Sequence, residues 1–234
     1  MYPNSLRVLS RWGLRKDLEL KANVPHSTVI NGWKGGQIST LDLIAEQKRY
    51  GYPSWDLHRA DLHRSMVEKA VALGAEIRCE SRVTDCTCDE HSGVATLTLH
   101  DGSVVMGNLI VGADGVNSTM REIMYGKKDP PQPTGDTAYR FLTEASNIAH
   151  DPQLYRLLHQ RNLWLGPNKH VVAYGIKGGK YLNMVCLDHH DSLGDQMTAP
   201  ATLEEVKALY QGWDPRYAVL ASIPSVVTPV AYSN

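Results

Sequence analysis

The sequence lacks a charge excess, a long apolar run and an internal repeat. Its 24 basic and 25 acidic residues leave a net charge of -1, so neither nucleic acid nor an anionic membrane surface is favoured as a partner. No segment approaches the ~20 apolar residues needed to cross a bilayer. Residues 1–20 also lack the apolar stretch of a signal peptide. We therefore expect a soluble, cytoplasmic protein that acts on small molecules.

The sequence contains few cysteines, and their spacing matches no metal-binding or redox motif. The chain has four cysteines and no C-x-x-C pair. Two of them, Cys86 and Cys88, are spaced so that both side chains would lie on one face of a strand. The sequence therefore predicts reduced, structural thiols at Cys79, Cys86, Cys88 and Cys186.

The most informative stretch is Leu109–Arg121, in which an apolar run stops at an Asp-Gly pair. The run Leu109–Val111 predicts a buried strand, and Asn117 or Ser118 is suited to cap a following helix. A strand end that leads into a helix start favours anion binding, because free backbone N–H groups point outward there. Asp114 could then accept hydrogen bonds from a ribose or ribityl hydroxyl. The alternative is an ordinary strand, turn and helix in which Asp114 is a turn residue.

The first hundred residues predict several short elements. A helix near residues 6–14 would be capped by Asn4 or Ser5, and glycines at 32, 35 and 36 indicate a hairpin turn within 27–38. An apolar stripe predicts a helix ended by Gly74, with a strand at Ala75–Arg78. Further strands are predicted at 81–87, 94–100 and 103–106, with Asp101-Gly102 as a hairpin turn.

The second half predicts an antiparallel sheet that follows a proline-rich linker at Asp129–Pro133. Thr202, followed by Glu204 and Glu205, predicts a capped helix over 202–210. The strands of this half are predicted at 134–143, 163–165, 170–176 and 181–187.

Arg59 stands at the start of the predicted helix that Gly74 ends. Its guanidinium has the planar donor fork that suits a pyrophosphate. The alternative is a solvated surface charge.

Two motifs together resemble the FAD-dependent aromatic hydroxylases, the salicylate hydroxylase-like flavoprotein monooxygenases. They are Asp56-Leu57-His58-Arg59-Ala60-Asp61-Leu62-His63 and Gly112-Ala113-Asp114-Gly115-Val116-Asn117-Ser118-Thr119-Met120-Arg121. The resemblance implies a mixed α/β (α+β) fold, a partial Rossmann-like FAD-binding domain with an antiparallel substrate domain. The implied FAD-binding domain is 57–125 with parts of 1–21. The implied substrate domain is 22–56 and 126–212, and 213–234 would be an incomplete tail.

The same resemblance implies FAD and NAD(P)H as cofactors, O₂ as co-substrate and hydroxylation of a small aromatic or phenolic molecule. The Asp-Gly motif of that family helps bind FAD and NAD(P)H, which assigns cofactor binding to Asp114 and Gly115. The arginine of the first motif lies against the flavin, which assigns Arg59. In the substrate sheet, Arg140 and Tyr174 are implied to be active-site residues. Locally, Arg140 could equally be an outward charge and Tyr174 a core aromatic.

Two features of that family are missing from the sequence. No G-x-G-x-x-G turn for the ADP half of FAD occurs anywhere, and no Gly-Asp motif follows Gly212–Pro215. The chain therefore resembles the middle of a monooxygenase, truncated at both ends. We expect it, made alone, to be poorly soluble and to lose FAD. The alternatives are a non-catalytic remnant or a flavin-dependent oxidase or dehydrogenase.

Overall fold

The computed structural model describes residues 1–89, 91–189, 202–220 and 228–233. The chain forms two compact units. The first unit comprises the described residues of Met1–Gly74 and Gly135–Tyr232, and the second unit is centred on Ala75–Thr134. These units are defined by compactness, so the functional domain boundaries implied by the resemblance stay a prediction.

The first unit begins with helices α1 (Pro3–Arg11) and α2 (Arg15–Glu19). The prediction of an Asn4 or Ser5 cap is wrong, because α1 starts at Pro3 after Tyr2, without a side-chain cap. Proline suits the first helical position, since its φ is already helical and its missing N–H has no partner there. These helices form a small apolar core around Trp55. Its other members are Leu6, Leu9, Leu14, Leu18 and Ala22.

A hairpin and two helices complete the first 74 residues. Strands β1 (Ser27–Gly32) and β2 (Gln37–Asp42) pair antiparallel, which confirms the predicted hairpin. Gly35 and Gly36 have φ of +94° and +82°, a conformation that strongly favours glycine. The helices are α3 (Leu43–Tyr50) and α4 (Arg59–Ala72).

The second unit is a three-stranded antiparallel meander with one helix. Strands β3 (Val83–Asp89), β4 (Val94–Leu99) and β5 (Val104–Gly107) lie in chain order. Helix α5 (Thr119–Tyr125) follows the Asp-Gly turn. The meander and the helix confirm the sequence prediction.

Two strand predictions in this unit are wrong. Residues 109–111 and 75–78 form no strand, and Leu109 and Val111 are 81% and 76% exposed. A strand requires a neighbour that takes up its backbone hydrogen bonds. Within the described ranges, no strand pairs with either segment.

The remainder of the first unit builds a seven-stranded sheet. Its spatial order is β10, β6, β9, β8, β7, β1, β2. Neighbouring strands from β6 to β7 pair antiparallel, as predicted, whereas β1 and β7 pair parallel. The added strands are β6 (Pro133–Glu144), β7 (Arg161–Gly166), β8 (Lys169–Ile176), β9 (Tyr181–His189) and β10 (Thr228–Ser233).

One face of this sheet carries the main core. Three helices contribute residues to this core: α6 (Pro152–Tyr155), α7 (Leu203–Leu209) and α8 (Pro215–Leu220). Thr202 and Glu205 form the capping box of α7, which confirms the predicted cap. Buried residues of this core include Phe141, Trp164, Val171, Met184, Val206 and Tyr210.

Asp214 ties α8 to the sheet. The indole N–H of Trp164 donates to Asp214 Oδ2 at 2.8 Å, and Arg216 Nη2 lies 2.6 Å from the same oxygen. Burial by itself raises the pKa of Asp214, but the hydrogen bonds from Arg216 and Trp164 outweigh it, so the net pKa is lowered. Asp214 thus has a clear structural role.

The cysteines only partly match their predicted structural role. All four are free thiols, but Cys79 and Cys88 are exposed. Cys186 is buried in the core, where desolvation strongly raises the pKa of its thiol. The alternation of a strand places Cys86 and Cys88 on one face, opposite Leu97 and Ala95 of β4.

Candidate functional site

The Asp-Gly turn of the second unit is organised by the carboxylate of Asp114. Its Oδ1 accepts a hydrogen bond from the Ser118 hydroxyl at 2.6 Å, and its Oδ2 accepts from the backbone N–H of Met120 at 3.0 Å. The Ser118 hydroxyl in turn accepts from the Arg121 N–H at 2.9 Å, which confirms Ser118 as a cap. The Ser118 hydroxyl and then the Met120 amide hold the pKa of Asp114 below its ordinary value. Asp114 is therefore a fixed anion at the start of α5.

Two glycines shape the backbone around this carboxylate. A Cβ added to Gly112 would lie 2.9 Å from the Cβ of Met120, so only glycine lets the turn pack against α5. Gly115 has a φ of +81° and open space where a Cβ would stand. The backbone at Gly115 is therefore accessible to a ligand.

A cavity of about 420 Å³ lies beside the turn, within the second unit. Its lining includes Arg82, Leu97, Val111, Asp114 and Thr119. Its size falls within the range of small-molecule pockets. It combines apolar walls with one fixed anion and one cation.

The four acceptor sites of a carboxylate are only partly used at Asp114. Ser118 and Met120 occupy one site on each oxygen. Asp114 can therefore still accept hydrogen bonds from the hydroxyls of a bound ligand. The donor and acceptor chemistry of the turn fits a polyhydroxylated group such as a ribityl chain.

Arg140 and Tyr174 lie in the large sheet of the first unit. Arg140 is opposite Val185 on β9, and Val185 is opposite Val172 on β8. Because side chains alternate along a strand, Tyr174, two residues beyond Val172, shares a face with Arg140. Both residues are partly buried.

This shared face is the one opposite the main core. The neighbours of Arg140 in sequence, Tyr139 and Phe141, point the other way and belong to the core. Tyr174 is therefore not part of that core cluster. The register brings the two predicted residues onto one face of the sheet, although they are 34 positions apart in the sequence.

The family comparison identifies the chain. Residues 1–147 match the family described as "FAD binding domain". The chain belongs to this FAD-binding family.

Relatives of this FAD-binding protein include named monooxygenases. It is 37% identical over 219 residues to the FAD-dependent monooxygenase OpS4 of Beauveria bassiana, covering 91% of this chain and 51% of the relative. It is 31% identical over 221 residues to the 3-amino-4-hydroxybenzoate 2-monooxygenase PtnB3 of Streptomyces platensis, covering 93% of this chain and 53% of the relative. The chain thus spans about half the length of these curated relatives.

Solved structures share the fold of this FAD-binding chain. A crystal structure of Klebsiella pneumoniae HpxO with FAD and uric acid superposes with a TM-score of 0.84 at 18% identity, covering all of this chain and 58% of the other. A salicylate hydroxylase substrate complex gives 0.82 at 22% identity, with 100% and 60% coverage. The mixed α/β fold predicted from the sequence is therefore confirmed.

Arg59 occupies the position that the sequence predicts. It is the exposed first residue of α4, in the first unit. Asp114 and Gly115 lie in the second unit. The assignment of these three residues to one cofactor stays a prediction.

Two other classes of site are absent from the residues that the structure describes. No helix among them is long and apolar enough to span a bilayer. Nor do any three of their His, Cys, Asp and Glu side chains form a set suited to a metal ion.

Proposed function

We propose that this chain supplies part of the cofactor site and the substrate sheet of an FAD-dependent monooxygenase. The reaction would use NAD(P)H and O₂ to hydroxylate a small aromatic or phenolic molecule in the cytoplasm. The observation that carries the proposal is the sheet face shared by Arg140 and Tyr174, in a chain of the FAD-binding family. Relatives named for 3-amino-4-hydroxybenzoate and 3-hydroxybenzoate support an aromatic acid as substrate.

Each residue has a distinct part in this proposal. Asp114 accepts hydrogen bonds from hydroxyls of the cofactor, and the backbone at Gly115 gives the cofactor close access. Arg59 offers its guanidinium to the pyrophosphate. Arg140 attracts the anionic end of the substrate, and Tyr174 orients its ring by a hydrogen bond. FAD, when bound, supplies the redox chemistry.

We expect Asp114→Ala to weaken FAD binding by roughly tenfold to a hundredfold, because it removes a charged acceptor from the ligand site. The measurement is a titration of the purified 234-residue chain with FAD, followed by flavin fluorescence. We expect wild-type binding to be weak enough for FAD to be lost on gel filtration, since no G-x-G-x-x-G turn is present in the sequence.

Asp101→Ala is the matched control. Asp101 also precedes a glycine with positive φ and accepts from a nearby serine, Ser103, but in the β4–β5 hairpin. The FAD affinity of the Asp101→Ala variant should equal that of the wild type. Equal losses in both variants, or no FAD binding by the wild type, would contradict the proposal.

We expect Arg140→Lys and Tyr174→Phe to uncouple NAD(P)H oxidation from hydroxylation. Lysine keeps the charge but loses the planar donor fork, and phenylalanine keeps the ring but loses the hydroxyl. The measurement is the ratio of hydroxylated product to NAD(P)H consumed, with 3-hydroxybenzoate as the test substrate. A severalfold lower ratio is expected in each variant.

The controls for this pair are Arg156→Lys and Tyr155→Phe. Both residues lie outside the sheet face, at the end of α6, where the Tyr155 ring packs edge-on against His159. These variants should keep the wild-type ratio. Full coupling in the Arg140 and Tyr174 variants would make those residues structural.

A further inference from the structure

Strand β3 of the second unit carries two free thiols, those of Cys86 and Cys88. In the described structure β3 is an edge strand that pairs with β4. Cys86 is opposite Leu97 and Cys88 is opposite Ala95. Because side chains two residues apart in a strand share a face, both thiols project from the same side of the sheet. The proposed monooxygenase reaction uses neither of them.

The two thiols interact with each other and can be reached from solvent. Partial burial raises the pKa of Cys86 above its ordinary value, and the neighbouring Cys88 thiol raises it further by charge repulsion and by a hydrogen bond. Cys86 is half-buried, whereas Cys88 is exposed. A reagent that arrives from solvent therefore meets Cys88 first and has the Cys86 thiol beside it.

The extended backbone of β3 decides which kind of bridge suits the pair. Two residues of a strand span about 6.4–6.8 Å, which is the upper end of the Cα separations of about 4.4–6.8 Å that a disulfide accepts. A direct S–S bond would therefore strain the strand. One larger atom between the two sulfurs lengthens the bridge and leaves the strand extended.

The surroundings of the pair supply two sulfur ligands and an apolar surface. Within the described ranges, no three His, Cys, Asp or Glu side chains converge on a metal site. The carboxylate of Asp85 accepts a hydrogen bond from the Cys86 backbone N–H at 2.8 Å. The cross-strand neighbours on the thiol face, Leu97 and Ala95, are apolar. The pair therefore suits a soft centre that needs only two thiolates and carries an organic group of its own.

We propose that Cys86 and Cys88 form a dithiol site for a monosubstituted arsenical in its trivalent state. In the step, the As=O bond and the two S–H bonds break, and two S–As bonds form. The two thiol protons leave with the oxygen as one water molecule. Arsenic stays trivalent, so no oxidant or reductant is consumed. The organic group remains on arsenic, with the apolar side chains of Leu97 and Ala95 beside it.

The experiment treats the 234-residue chain with phenylarsine oxide in the presence of excess 2-mercaptoethanol. The second S–As bond forms within one molecule, so a thiol pair holds arsenic against a competing monothiol and a lone thiol does not. Native mass spectrometry should show a single adduct, heavier than the free chain by the reagent minus one water. Cys86→Ser and Cys88→Ser should each weaken retention by at least about a hundredfold.

Cys79→Ser is the matched control, because Cys79 is an exposed thiol of the same unit that lies outside the strands. The Cys79→Ser variant should retain the reagent as the wild type does. Cys88 is exposed, so its serine variant keeps the test decisive even where Cys86→Ser fails to fold. The readout does not involve FAD, so its outcome is independent of the proposed function.

A second measurement tests whether the folded strand organises the site. Binding that favours the folded chain over the unfolded chain stabilises it, so phenylarsine oxide should raise the urea midpoint of the wild type and of Cys79→Ser. It should leave the midpoint of Cys88→Ser unchanged. The inference is overturned if the wild type retains no reagent, if Cys88→Ser retains it fully, if Cys79→Ser loses it, or if the wild-type midpoint does not rise.

Discussion

Replacing Arg161 with leucine is expected to destabilise the first unit by about 3–5 kcal/mol, as for other buried ion pairs that lose one partner. Arg161 Nε donates to Asp56 Oδ1 at 2.8 Å, and the two residues are only 7% and 5% exposed. Arg161 Nη2 also donates to the Trp55 carbonyl at 3.3 Å. The variant leaves the buried Asp56 carboxylate without its guanidinium partner, and urea unfolding followed by circular dichroism measures the loss.

The pH dependence of this loss has a defined sign. Burial raises the pKa of Asp56, and Arg161 opposes that rise. Without Arg161 the folded-state pKa of Asp56 climbs further, so the neutral carboxyl favours folding below its unfolded pKa of ~3.9. This contribution is lost as the pH rises through the folded pKa. We therefore expect a smaller destabilisation at about pH 4 than at pH 7.

Two further variants separate the ion pair from general damage. Arg161→Leu with Asp56→Leu should recover much of the lost stability, because the double variant also removes the buried carboxylate that Arg161 neutralises. Lys207→Leu removes a surface pair with Glu204 in the same unit and should change stability by less than about 1 kcal/mol. Equal destabilisation by all three variants would show that the buried pair has no special role.

Gly175→Ala is expected to destabilise the same unit by about 1–3 kcal/mol or more, as overpacking does in a closed site. A Cβ at position 175 would lie 2.4 Å from the Leu158 carbonyl oxygen and 2.8 Å from Asn23 Nδ2. These two groups are themselves hydrogen-bonded at 2.9 Å in the interior. The added methyl must therefore displace backbone or break a buried hydrogen bond, and thermal or urea unfolding measures the cost.

Two other glycines with ordinary φ form a graded control series. A Cβ on Gly32 would lie 3.3 Å from the Gly35 carbonyl oxygen, and one on Gly107 would meet nothing closer than 3.9 Å. The loss should decrease from Gly175→Ala through Gly32→Ala to Gly107→Ala, which should be near neutral. A different order would mean that steric space does not decide the cost.

Local signals in the sequence determined most of the elements. The glycines of the β1–β2 turn, the Ser118 cap and the capping box at Thr202 each act within a few residues. Their physical effects need no distant partner, so the predicted hairpin and the predicted starts of α5 and α7 are confirmed. The family motifs could also be recognised from the sequence, because each lies in one continuous stretch of chain.

The strand predicted at Leu109–Val111 is absent from the structure, and local sequence patterns could not reveal this. Its apolar side chains satisfy the pattern of a buried strand, but a strand also requires neighbours for its N–H and C=O groups. Whether those neighbours are present is a property of the whole chain. In the described structure the segment stays exposed, which the pattern alone gave no means to detect.

Only the tertiary structure decided which distant side chains meet. Strand register, set by pairing over tens of residues, places Arg140 and Tyr174 on one face and brings His189 to Asp136. The ion pair between Arg161 and Asp56 spans 105 positions. The sequence by itself determined the elements, the family and the candidate residues, because those depend on local backbone preferences and contiguous motifs. The shared sheet face and the buried ion pair depend on register and packing, which no local pattern encodes.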